Sequence, residues 1–124
     1  MPSQNNTGRQ YDKQHSVTTV ATAVLAAHRF IAYDGAYPTA AGGVKDVQGV
    51  SETSAEIGDA LSVVTSYSYL VEVAEPIAFG ALVKPNATGQ AAVGTLAEHC
   101  GRALGAATQV GQLIEVQIYK HVHA

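Results

Sequence analysis

A chain of 124 residues fits one domain, and its apolar share of 47% supports a modest core, although large side chains are few, with no Trp, 2 Phe and 1 Met. The 10 acidic and 7 basic residues leave a formal charge of −3, and the basic residues are scattered, which speaks against a nucleic-acid partner. A single cysteine excludes an intrachain disulfide and any multi-cysteine zinc module.

Residues 1–14 carry almost no apolar side chains, and Asn5-Asn6-Thr7-Gly8 is turn or coil chemistry. They predict an extended N-terminal arm, either a loose terminus or a segment that orders on a neighbouring subunit, ahead of a single β domain over 15–124. The arm lacks the apolar stretch of a secretory signal. Val17–Ala27 is too short to cross a bilayer, which takes about 20 apolar residues, so no membrane partner is expected and the chain reads as made in a cytoplasm.

From His15 onward the pattern is one of short β-like runs. Val17–Leu25 is rich in Val and Thr, its alanines leaving a helix open. Arg29–Tyr33 sets Ile31 and Tyr33 opposite Phe30. Asp34-Gly35 and the stretch from Tyr37-Pro38 to Gly42-Gly43 signal loops, and Val44–Val50 is a further strand candidate. Ala60–Thr65 is a β-branched run after the polar turn 51–58. Tyr69–Glu75 alternates until Pro76 ends it. Ala81–Lys84 and Gln90–Thr95 flank the hairpin turn 85–89, and Glu98–Leu104 is a weaker run. Leu113–Val122 has the cleanest period of two, with Ile114, Val116, Ile118 and Val122 on one face and Glu115, Gln117, Tyr119 and His121 on the other. Many short strands separated by Gly, Pro and Asn turns predict an all-β fold, a small antiparallel sandwich or barrel. The shortage of large core side chains predicts that a partner subunit completes the buried surface.

A faint internal echo accompanies this pattern. Ile57-Gly58 matches Val110-Gly111, Leu61 matches Ile114 and Val63 matches Val116. Two similar turn-plus-strand units and chance convergence on turn chemistry both account for it.

Motifs for chemistry are weak. The glycines at 101, 105 and 111 lack the Lys-Ser or Lys-Thr pair of a phosphate loop and the spacing of a dinucleotide fingerprint, and a short helix over 102–109 stays open. His99 and Cys100, as strand neighbours, point to opposite faces and make a poor nucleophile pair. His121 and His123 supply two ligands where a zinc site needs at least three. The carboxylates, including Glu72 and Glu75, read as a solvated face. No catalytic residue, cofactor or metal is expected. Tyr67 and Tyr69 share one face of a strand and suit either the edge of a core or a protein interface.

The stretches VQGVSETSAEIGDALSVV (47–64), EPIAFGALVKPNATGQAAV (75–93) and CGRALGAATQVGQLIEVQIY (100–119) resemble the small capsid cement, or decoration, proteins of tailed bacteriophages. Gly49, Gly58-Asp59, Ile77, Gly80, Val83, Gly89, Gly101, Ala103-Leu104, Ala106-Ala107, Gly111 and Val116 stand where that pattern has turn glycines and apolar strand positions. The resemblance implies a β-tulip-like fold and a non-enzymatic virion protein, made in the bacterial host cytoplasm. On the outer face of the mature capsid it would staple coat subunits against the pressure of packaged DNA. It implies two partners: the major capsid protein and the chain itself, as a homotrimer first and a dimer second. Contact is then expected through the arm, at Gln4, Asn5, Asn6, Arg9, Gln10 and Tyr11, and through Tyr67 and Tyr69. Other readings of the same chain are a different β-rich virion module, such as a head-fibre base or an oligomeric adaptor, and a small-ligand-binding β-barrel.

Overall fold

The computed structural model describes residues 13–39 and 41–119. Eight strands follow in chain order: β1 (Lys13–Val20), β2 (Phe30–Ala32), β3 (Val47–Ser51), β4 (Ala60–Glu72), β5 (Leu82–Pro85), β6 (Ala91–Val93), β7 (Gly101–Ala103) and β8 (Leu113–Ile118). All strand pairings are antiparallel, in the order β2-β3-β4-β8-β7-β5-β6 with β1 beside β4. A single parallel bridge between Val73 and Ala91 returns β6 to the end of β4 and nearly closes a barrel. The all-β antiparallel architecture expected from the runs and turns is the one adopted. Among the described residues the helices left open at 17–25 and 102–109 do not form. Leu25 instead bridges Ala55, and Ala107 bridges Ile77.

Several boundaries differ from the sequence pattern, each for a local reason. β1 begins at Lys13, inside the expected arm, because the backbone of β4 offers it a pairing edge as far as Tyr67. Val44 belongs to a 3-10 turn, Gly43–Lys45, ahead of β3. That loop is tied by Lys45, which ion-pairs with Asp34. Burial pushes the Asp34 carboxyl up, but Lys45 and the Ala36 amide together hold it below its ordinary value. This tie is therefore complete above the ordinary carboxylate range and is lost as pH falls through the lowered pKa.

The largest difference lies in β4, where two expected runs are one strand of 13 residues. Ser66-Tyr67-Ser68 contains no breaker, so pairing continues through it. The inward-facing parity changes across this stretch. Leu61 and Val63 point into one core, whereas Val64, Tyr69, Val71 and Val73 point into the other. Register shifts on either side of His15 pass over Gln14 in β1 and Thr65 in β4, and the bulge at Thr65 carries the change of parity.

β4 is shared by two copies of one supersecondary unit. In the first, β1 pairs β4 with Ser16 opposite Val64, Val17 opposite Val63, Thr19 opposite Leu61 and Val20 opposite Ala60. In the second, β4 pairs β8 with Ser68 opposite Gln117, Tyr69 opposite Val116, Val71 opposite Ile114 and Glu72 opposite Leu113. The offset is 52 residues, as from Ser16 to Ser68, and becomes 53 after the turn, as from Val64 to Gln117. Most pairings between obey it, the β5–β6 hairpin being peculiar to the second half. Phe30–Val50 and Ile31–Gly49 become Leu82–Arg102 and Val83–Gly101. Val50–Val64 and Ser51–Val63 become Arg102–Gln117 and Ala103–Val116. The Leu25–Ala55 bridge becomes Ile77–Ala107. The Gly58 amide donates to the Ala21 carbonyl at 2.8 Å, and the Gly111 amide to that of Val73 at 2.9 Å. The faint echo in the sequence is one edge of an internal repeat that takes in most of the strand pairings.

Each repeat packs its own core. Ala21, Leu25, Ile31, Ala55, Leu61 and Val63 form the first; Val73, Ile77, Val83, Ala107, Ile114 and Val116 stand at the equivalent positions of the second. Phe30, Val50 and Val64 belong to the first repeat but pack in the second core, so the outer face of one repeat seals against the other. Gly49 and Gly101 mark another matched feature. A Cβ at Gly49 would lie 2.0 Å from the Val64 carbonyl oxygen, and one at Gly101 would lie 2.4 Å from that of Gln117. Backbone cannot yield as a flexible side chain does, so Gly101→Ala is expected to push β7 off β8 and cost about 2–3 kcal/mol in chemical denaturation.

Candidate interaction surface

The structure separates the two tyrosines expected to act as a pair. Tyr67 is 41% exposed beside the bulge, whereas Tyr69 is 7% exposed. Tyr69 lies in the second core with the His28 ring stacked on it at 5.5 Å. Tyr69 is thus a core residue, while Tyr67 stays at the surface. Gln4, Asn5, Asn6, Arg9, Gln10 and Tyr11 lie outside the described residues, as do His121 and His123.

Polar groups expected to be solvated are partly structural. Glu115 is 1% exposed, and the Ser68 hydroxyl donates to its Oε2 at 2.7 Å, so the polar face expected of β8 is a buried one at this position. Glu72 binds Arg29 at 3.3 Å and accepts from Gln90 Nε2 at 2.7 Å, joining the end of β4 to the turn before β2 and to the β5–β6 hairpin. Glu75 accepts from the Val93 amide at 3.0 Å. His28 sits at φ 60° and is held there by three contacts: its amide donates to Ser51 O, its carbonyl accepts from the Glu72 amide, and its Nδ1 donates to Leu70 O. These residues brace the junction between repeats.

His99 and Cys100 do not meet as a catalytic pair. His99 bonds the Thr95 carbonyl at 3.0 Å and lies edge-on to Tyr119. Cys100 is 3% exposed in the second core, and burial pushes its thiol up. Thiol reagents are expected to leave Cys100 unmodified in the native protein and to label it fully once denaturant is added, a result read by absorbance or mass. Among the described residues no group of three or more His, Cys, Asp or Glu could hold a metal ion, and no helix is long and apolar enough to cross a membrane.

What the surface does offer is apolar side chains on loops, and the repeat places them in equivalent pairs. Ile57 and Val110 precede the matched glycines Gly58 and Gly111 and are 69% and 65% exposed. Val44 and Leu96, also equivalent, are 63% and 84% exposed. The turns that carry Ile57 and Val110 are built alike. Asp59 Oδ2 accepts from the Glu56 amide, and Gln112 Oε1 accepts from the Gln109 amide. The strong positive φ at Gly58 (91°) and Gly111 (88°) completes each turn. Val24 adds to the first tip, because the Leu25–Ala55 bridge brings its loop alongside. Phe79, 66% exposed, lies away from the second tip, because the antiparallel Ile77–Ala107 bridge carries its loop toward Ala103. The chain thus presents one kind of apolar tip twice, on two rigid β units.

The fold is similar to that of a phage head-fibre base. The N base of the head fibre gp8.5 of bacteriophage phi29, known from a crystal structure, matches with a TM-score of 0.61 at 20% sequence identity. The match covers 89% of this chain and 98% of that one, so it takes in both repeats and the strand they share. No protein-family model and no curated protein sequence matches the chain. At this identity the likeness to the head-fibre base is one of fold.

Proposed function

We propose that this chain is a structural component of a bacteriophage virion, held on the outer surface of the capsid, with the major capsid protein as its partner and no catalytic role. The observation that carries the proposal is the likeness in fold to the head-fibre base over nearly the whole of both chains. The residues that resemble capsid decoration proteins support it. Ile77, Val83, Ala103, Ala107 and Val116 all lie in one core, and Gly58, Gly80, Gly89 and Gly111 all adopt positive φ. The repeated apolar tips suit such a role physically. Two equivalent contacts on one rigid body engage neighbouring copies of a coat subunit at high effective concentration, so modest contacts sum to firm attachment.

Two forms of this role fit the fold about equally: a cement protein that staples coat subunits, and a base that anchors a fibre. Antibodies against the chain, applied to intact particles of the phage that encodes it, test the proposal by electron microscopy. Label on the outside of heads is the expected result. Particles without the chain, or with the chain shielded from antibody until disrupted, would overturn it. Heating particles with and without the chain then separates the two forms, since a cement protein raises the temperature of DNA release and a fibre base leaves it unchanged.

A further inference from the structure

We infer that the outer edge of β1 is a docking site for a second copy of this chain, which reaches it head to tail with the turn at Phe79–Ala81. The inference comes from the internal repeat and holds whether or not the chain is a virion protein. Within the chain, residues 68–72 form the first strand of the second repeat, and both of its edges are covered. One edge pairs β8. On the other, the Glu72 amide donates to His28 O at 2.9 Å, Leu70 O accepts from His28 Nδ1 at 3.0 Å, and Arg29 ion-pairs with Glu72. The turn 28–29 of the first repeat thus caps the strand.

The equivalent strand of the first repeat, residues 16–20, has one edge paired with β4 and the other met, among the described residues, only at the Val20 carbonyl, where Gly35 packs. The Ser62 carbonyl accepts from the Glu52 amide, so the Ser62 backbone faces β3 and its partner across the pair, Thr18, turns its own backbone outward; Val20, two residues on, does the same. Among the described residues no backbone group caps the Thr18 carbonyl or the Val20 amide. A long uncharged edge rich in Val and Thr is a template for strand or turn addition. Gly35 of the first repeat meets this edge only at its end, accepting from the Thr22 amide at 3.0 Å, while the second repeat has the turn that matches 28–29, Gly80-Ala81, facing away from it. A second copy supplies the missing partner.

The side chains agree. Where the junction inside the chain has the ionic pair Arg29–Glu72, the equivalent positions between copies are Ala81 and Val20, an apolar pair. Val20 is 57% exposed, and Phe79, beside the docking turn, is 66% exposed. The Gly80 carbonyl is held meanwhile by the exposed side chain of Arg102 at 2.8 Å, which can release it. The contact is smaller than the internal junction, because Leu82, Arg102 and Gln117 stand where Phe30, Val50 and Val64 seal the two repeats. Association through it is therefore reversible and concentration-dependent. The contact is heterologous, so its rotation decides whether it closes a ring.

Sedimentation velocity of the full chain over a concentration series tests this. The unaltered chain is expected to associate reversibly. Val20→Glu and Ala81→Arg each place an unpaired charge in the contact and should weaken association at least roughly tenfold. The two together recreate the Arg29–Glu72 pair between copies and should recover association to within about threefold. Phe79→Asp, at an exposed position outside the core, is the second probe should Ala81→Arg lower the melting temperature. A chain that stays monomeric throughout, association indifferent to all these changes, or single losses that the combined variant fails to relieve would each overturn the inference.

Discussion

Val71→Pro is expected to unfold the whole chain in one step, with loss of both repeats rather than the second alone. Val71 is fully buried and pairs Ile114. Its neighbours Leu70 and Glu72 turn their backbone toward His28, so the Val71 amide faces β8 and a proline there deletes a ladder hydrogen bond. The loss costs about 3 kcal/mol or more before any packing defect, against a total stability of about 5–15 kcal/mol for a domain of this kind. The first repeat depends on the same strand, since Ala60–Thr65 closes its core through Leu61 and Val63. Circular dichroism and amide hydrogen exchange read the outcome. Retained protection in residues 30–64 with loss beyond residue 70 would show that the repeats stand independently.

Phe30→Ala is expected to cost about 3–5 kcal/mol and, unlike the proline, to split the unfolding transition in two. Phe30 is completely buried and is contributed by the first repeat to the second core. Its amide donates to Gly89 O at 2.7 Å, so the same residue also fixes the β5–β6 hairpin against the first repeat. Removing the ring leaves each repeat its own small core and takes away much of the apolar contact between them. Denaturant curves followed at two probes, one in each repeat, should then cease to coincide; coincident curves would place the coupling in β4 alone.

The class of fold was legible because turn chemistry was dense. Pro85-Asn86-Ala87-Thr88-Gly89 gave a hairpin, Pro76 ended an alternating run, and Leu113 onward alternated cleanly. The continuity of β4 was not legible, because Ser66-Tyr67-Ser68 is polar enough to read as a break, and a bulge that shifts parity by one residue hides the alternation on either side of it. The repeat was visible only between 57 and 63 and their partners. Elsewhere equivalent positions hold different residues, such as His28 for Gly80 and Val20 for Glu72, and only hydrogen bonds and register reveal them. The buried Glu115 escaped notice because an alternating strand assigns it to solvent, whereas both faces of β8 are covered. The loop tips escaped because Ile57 and Val110, isolated among polar neighbours, look in sequence like ordinary turn residues.

Adding the purified chain to capsids that lack it measures the central claim directly. A virion surface protein should bind the outside of mature shells saturably, at a fixed number of copies per capsid, and Ile57→Asp together with Val110→Asp should weaken that binding by roughly a hundredfold or more as both tips are lost. Saturating protein that leaves the capsids bare would contradict the account.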